Sequence, residues 1–162
     1  MNPASSQVQT LSFVFDNEND QLLMVQLSAD GPLKRKHSGI KGQIEMDEDT
    51  NAAAVRSLQE STGLEIDSVV LRGVVKTVNI DNQASGIWLV YETSRFSGEL
   101  NGNVPGRLKW VDILNIFNLQ MEGFVQELMS YLLDGESFFE GTVRITNNDE
   151  VVESDIRICN TI

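Results

Sequence analysis

GQIEMDEDTNAAAVRSLQESTGL, residues 42–64, is the stretch from which the fold is read. Thr50 carries a hydroxyl suited to an N-cap. The helix predicted from it runs through Ala52, Ala53 and Ala54, strong helix formers, to Thr62. Gly63 follows, and glycine ends helices in the left-handed conformation because it has no Cβ to clash. Residues three and four apart on such a helix share one face. Ser57, Glu60 and Ser61 therefore stand together on it.

Upstream, Leu11, Phe13 and Phe15 alternate with other residues and predict a strand. Residues 16–20 (DNEND) predict a turn and residues 22–27 a returning strand. Gly31-Pro32 breaks the chain, and a basic loop follows: Lys34, Arg35 and Lys36, then Lys41. Downstream, residues 69–78 are rich in β-branched side chains and predict a long strand, with a polar turn over 79–85 and a strand over 87–92. Residues 96–106 predict a loop, 108–111 a short strand, and 113–117 a helical turn. Phe124, Leu128, Tyr131 and Leu132 have helical spacing within 124–133. Two last strands, 138–146 and 151–158, flank the turn Asn147-Asn148-Asp149. Strands and helices interleave, which predicts an α/β fold: one domain over residues 1–162, a mixed sheet with helices on its faces.

The net charge of −12 and pI near 4.4 repel a nucleic-acid polymer. A small nucleotide is not excluded, because a local basic patch or a bridging metal can meet its phosphates. No apolar run is long enough to span a membrane, and Met1 to Thr10 shows no signal-peptide pattern. Cys159 is the single cysteine, so an intrachain disulfide and a cysteine-pair zinc site are ruled out, and a cytoplasmic setting is expected.

The stretch 42–64 resembles the signature of the Nudix family, G-x5-E-x7-R-E-U-x-E-E-x-G-U, where U is a bulky aliphatic. Gly42, Glu48, Arg56, Leu58, Glu60, Gly63 and Leu64 fall on their positions without a gap. Ser57 and Ser61 stand where the family has glutamate. The resemblance extends to His37-Ser38-Gly39 before the box, to Leu108-Lys109-Trp110-Val111, and to the ending built on Phe138-Phe139-Glu140-Gly141 and Val151-Val152-Glu153. It looks like the bacterial MutT-type branch and implies the Nudix fold, an α/β/α sandwich with a mixed sheet.

The resemblance also implies a chemistry. Hydrolysis of a nucleoside diphosphate linked to another group places negative charge on oxygens that are already anionic. Divalent ions must neutralise it, and magnesium takes an octahedron of oxygens. The expected cofactor is Mg²⁺ or Mn²⁺, weakly held or absent, because one of the three helix positions is acidic. Expected catalytic residues are Glu60, Arg56 and Glu48. Metal ligands would be Glu60 and the Gly42 carbonyl, and substrate contacts Lys41, His37 and Ser38. Glu45, Asp47, Asp49, Glu92 and Glu99 are candidates to replace the missing acids, and Pro105 stands where many relatives place another glutamate. Met121 and Phe124 stand where enzymes acting on oxidised guanine nucleotides have a base-pocket Trp and Asp. The expected partner is a small nucleotide-type substrate or ligand, with no nucleic-acid polymer and no membrane; a homodimer is left open. The alternative is an inactive domain that binds a nucleotide or a protein.

Overall fold

The sheet divides around β1 (Gln7–Asp16), because that strand changes partner along its length. On one side it runs parallel to β7 (Ser85–Thr93) from Gln7↔Gly86 to Val14↔Thr93. On the other side its residues 9–12 pair with β4 (Ile40–Gln43), and Phe15 and Asp16 pair with β2 (Gln21–Leu27). The expected hairpin therefore exists only at its turn. On its other edge β2 pairs with β9 (Gly106–Asp112) along its whole length, and beyond the turn it leaves β1 for β3 (His37–Ser38). Outward from β7 lie β6 (Val70–Asn79), β10 (Phe138–Ile145) and the edge strand β11 (Val151–Cys159). The β1–β7 and β10–β6 pairs are parallel, so the sheet is mixed as expected. The computed structural model describes residues 6–102 and 104–159; the first half of the Met1 to Thr10 stretch, read above for a signal-peptide pattern, lies outside them.

Two helices cover opposite faces. Successive strand residues point to opposite sides. Leu11 and Phe13 of β1 thus join a core with Phe124, Leu128 and Leu132 of α2 (Gly123–Leu133). Val14 of β1, Ile40 and Tyr91 join another with Ala54 and Leu58 of α1 (Thr50–Thr62). Each large side chain fully buried in these layers contributes about 1.5–3 kcal/mol. The expected turn at 113 is a 3-10 helix, Ile113–Asn118.

Three local expectations are corrected. Thr50 is the first helical residue and not the N-cap; Asp49 holds that place with extended backbone and makes no side-chain cap bond. The Thr50 hydroxyl instead accepts a bond from the Tyr91 phenol at 3.0 Å. The loop predicted over 96–106 contains a short strand, β8 (Phe96–Ser97), which pairs with β5 (Glu65–Ile66). Those pieces are too short to show a period of two in sequence. His37, read as a loop residue, lies in β3 and is 5% exposed. Gly63 does end α1 as expected, with φ of 76°.

Candidate functional site

β4 is the wall between two polar clusters. Its neighbouring residues face opposite ways, so Gly42 meets α1 while the Lys41 side chain reaches the α2 side. α1 approaches closely because Gly42 has no side chain. A Cβ there would overlap the Ser57 hydroxyl and lie 2.8 Å from Thr10 Oγ1. Ser57, expected on an open polar face, is consequently buried at 5% exposure, with its hydroxyl 3.4 Å from the Lys41 carbonyl oxygen. The Gly42 carbonyl accepts a bond from Thr10 Oγ1 at 3.3 Å.

On the α1 side, Arg56 gathers the signature acids. Its Nε and Nη2 donate to the two oxygens of Glu48 at 2.6 and 2.9 Å, a paired geometry in which each bond is charge-assisted. Nη2 also donates to the Gln43 carbonyl at 2.9 Å, and Nη1 to Glu60 Oε2 at 3.3 Å. The Arg56 hydrogen bonds hold the Glu48 carboxyl below its ordinary range. Glu60 remains the open member, with 67% of its side chain exposed.

On the α2 side, the polar groups converge on Glu122, which sequence reading missed. Glu122 is 6% exposed at the N-cap of α2. Its Oε1 accepts from Ser38 Oγ at 3.0 Å and pairs with Lys41 Nζ at 2.6 Å. The same ammonium lies 5.5 Å from the Trp88 ring centroid and 6.0 Å from that of Phe124, two rings stacked at 5.2 Å. Cation–π contacts of this kind contribute about 0.5–2 kcal/mol. His37 sits behind this group. Its Nδ1 donates to the Gln120 carbonyl at 2.9 Å, and its Nε2 accepts from Lys109 Nζ at 3.2 Å, which fixes the neutral form. Burial pushes its pKa down, with the Gln120 bond opposing and the Lys109 charge adding to the shift. Glu122 gave no local signal, because its partners are more than 80 positions away in sequence.

The structure brings the expected residues together as two groups. Glu48, Arg56 and Glu60 form one; Lys41, Ser38 and His37 form the other, with Met121 bridged to His37 and Phe124 under Lys41. Met121 and Phe124 are 3% and 1% exposed and belong to the core. The basic loop does not form one patch. Lys34 pairs with Asp30, Lys36 with Asp149, and Lys41 with Glu122. Of the candidate replacement acids, Glu92 is drawn away to Arg72 at 3.0 Å. Among the described residues, no three His, Cys, Asp or Glu side chains converge on a point that a metal ion would occupy. The donor set present does not fit a multi-carboxylate magnesium site.

The NUDIX domain model matches residues 6–132, most of the chain, and the protein belongs to that family. It is 24% identical over 115 residues to the uncharacterized Nudix hydrolase YvcI of Bacillus subtilis (strain 168), covering 68% of this chain and 73% of the relative. Its fold is similar to that of a MutT protein from Bacillus halodurans, with a TM-score of 0.81, 22% identity, and coverage of 94% of this chain and 97% of that one. The NUDIX domain of Shewanella oneidensis NrtR, solved with ADP ribose, is also similar, with a TM-score of 0.67, 16% identity, and coverage of 80% and 88%.

Proposed function

We propose that this protein is a weak MutT-like nucleotide pyrophosphohydrolase, acting on a nucleoside diphosphate linked to another group. Family membership supports the hydrolase reading. The donor set on α1 carries the weakness: Ser57 and Ser61 flank a single acid, Glu60, and that acid already shares Arg56 with Glu48. Mg²⁺ or Mn²⁺ would be held poorly by such a set, so no catalytic step is assigned to a bound ion. Arg56 positions Glu48 and Glu60. The Gly42 carbonyl and Glu60 are the remaining oxygen donors of the box. Lys41 and Ser38 face the ligand beside Trp88, and His37 positions Lys109 from behind.

A binding domain without catalysis is the second reading, favoured by the Arg56–Glu60 contact, which uses the one carboxylate left for a metal. The test is a panel of nucleoside diphosphate compounds, including ADP-ribose, with excess Mg²⁺ or Mn²⁺. Binding is followed by calorimetry and hydrolysis by phosphate release. Binding with turnover far below the ordinary enzyme value of about 10 s⁻¹ is expected. Binding with no turnover selects the second reading. Turnover at ordinary rates overturns the weakness, and failure of every compound to bind overturns both readings.

A further inference from the structure

A cavity of about 410 Å³ takes no part in the site above. It lies at the other end of α2, against Leu132, Leu133 and Gly135. An 11-residue helix places it about 16 Å along from Glu122. Phe15 and Ile113 continue the apolar wall, and Glu92 and Arg95 are its charged lining. The volume falls within the range of small-molecule sites, as does the mixture of an apolar wall with few polar groups.

The hydrogen bonding around Glu92 decides what such a cavity can take. Arg72 is buried beside it, with 4% of its side chain exposed. The Arg72 guanidinium donates to the carbonyls of Tyr131, Leu132 and Ser137 and to the carboxylate of Asp134, and forms an ion pair with Glu92. With these acceptors and two carboxylates around it and 4% of its side chain exposed, Arg72 is engaged from within the protein and not turned to an incoming anion. Glu92 Oε1 lies 3.0 Å from Arg72 Nη1, and no hydrogen bond reaches its Oε2 among the described residues. Glu92 lines the cavity with 20% of its side chain exposed. The vacant capacity of the cavity floor is therefore an acceptor carrying negative charge. Glu92 and Asp134 share the single charge of Arg72, and Arg95 at the exposed rim balances the remaining negative charge.

We infer that this cavity is a second ligand site, for a small molecule with an ammonium group and an apolar body. The ammonium donates to Glu92 Oε2, and the body packs against Phe15, Ile113, Leu132 and Leu133. Burial already pushes the Glu92 pKa up, with Asp134 adding to the shift and Arg72 opposing it. An adjacent cation relieves that burial cost. Arg95 at the exposed rim can receive the carboxylate of an amino acid, so both simple amines and amino acids fit the chemistry. This inference is independent of the reading of the Nudix box.

The test uses the full chain, isotope-labelled, in amide correlation spectra. Three probes share one body and differ in head group: phenethylamine, phenylalanine and hydrocinnamate. Phenethylamine and phenylalanine are expected to shift the amides of Ser94, Arg95 and Leu133 with a dissociation constant on the order of 1 mM or tighter. A tighter phenylalanine would assign its carboxylate to Arg95; equal binding would assign the whole effect to the ammonium. Hydrocinnamate should bind roughly tenfold more weakly or worse, because it lacks the charge-assisted donor. Glu92→Gln should remove the amine shifts. If that variant does not fold, Ser94→Trp at the exposed rim blocks the cavity and should remove them instead. Hydrocinnamate binding as well as the amine, or amine shifts that are absent from these amides or persist in both variants, overturns the inference.

Discussion

Gly42 and Ser57 show how one absent side chain sets the geometry of the box. A Cβ at residue 42 would lie 2.6 Å from Ser57 Cβ, and both belong to packed backbone that cannot yield alone. Gly42→Ala should therefore destabilise by about 1–3 kcal/mol, as over-packing does, which chemical denaturation would measure. The same crowding separates the two serines as sites for restoring acids. Ser61 is half-buried and Ser57 is buried. Ser61→Glu should raise divalent-ion affinity in calorimetry with little change in stability, whereas Ser57→Glu should lower the melting temperature before any gain in metal binding. The reverse order would show that the helix face is looser than its packing against β4 implies. His37 adds a pH dependence of definite sign. Its folded pKa lies below the unfolded value of 6.5, so the neutral ring favours the folded state. That stability is complete above about pH 6.5 and is lost as pH falls through the folded pKa. Unfolding across this window, compared with His37→Gln, should show the loss in wild type and a smaller slope in the variant.

At the scale of elements, Arg72 of β6 carries the most consequence, because it accepts the role of a C-terminal cap for α2. It binds the Tyr131 and Leu132 carbonyls in the last turn of the helix, the second of which also accepts the Gly135 N–H at 3.3 Å. Arg72→Met should cost on the order of 3–5 kcal/mol by leaving Glu92 without its cation. Arg72→Lys should rescue little, since an ammonium cannot reach acceptors spread across a planar fork. Amide exchange at the end of α2 reads this directly, and unchanged protection in Arg72→Met would refute the cap. The elements themselves were largely legible beforehand. The capping glycine, alanine-rich centre and box spacing located α1, and β-branched runs located β6 and β7. What stayed hidden were contacts without local pattern. β5 and β8 are two residues each, below any detectable period. The fork at β1 follows from which partner β2 takes after its first two residue pairs, and no residue of the hairpin encodes that. Glu122 and Arg72 were missed for the same reason: their partners come from distant segments.

For the whole molecule, the question is what a Nudix sandwich does when its two polar clusters are occupied from within. Oxidised guanine nucleotides require two things of such a site, a charged centre to neutralise the diphosphate and hydrogen-bonding groups to select the base. On the α1 side, the single helix acid shares Arg56 with Glu48. On the α2 side, Met121 and Phe124 are apolar and buried. The carboxylate nearest them, Glu122, already receives Ser38 and Lys41. A base reaching it would have to displace Lys41 from both the carboxylate and the Trp88 and Phe124 rings. Sites whose polar groups are unavailable to the substrate lose discrimination by orders of magnitude. The net charge of −12 adds a weaker, long-range repulsion of the triphosphate that salt should screen. Hydrolysis of 8-oxo-dGTP should therefore stay near background in excess Mg²⁺ or Mn²⁺, with no preference over dGTP. Lys41→Ala removes a ligand-facing cation and leaves the buried Glu122 carboxylate without its partner, so it should weaken nucleotide binding without restoring turnover, because it leaves the α1 donors unchanged. Steady-state kinetics of wild type and Lys41→Ala on both nucleotides decide the matter. A wild-type kcat on the order of 1 s⁻¹ or more with 8-oxo-dGTP would mean that acids outside the helix, such as Glu45 or Glu99, assemble around the nucleotide once it is bound.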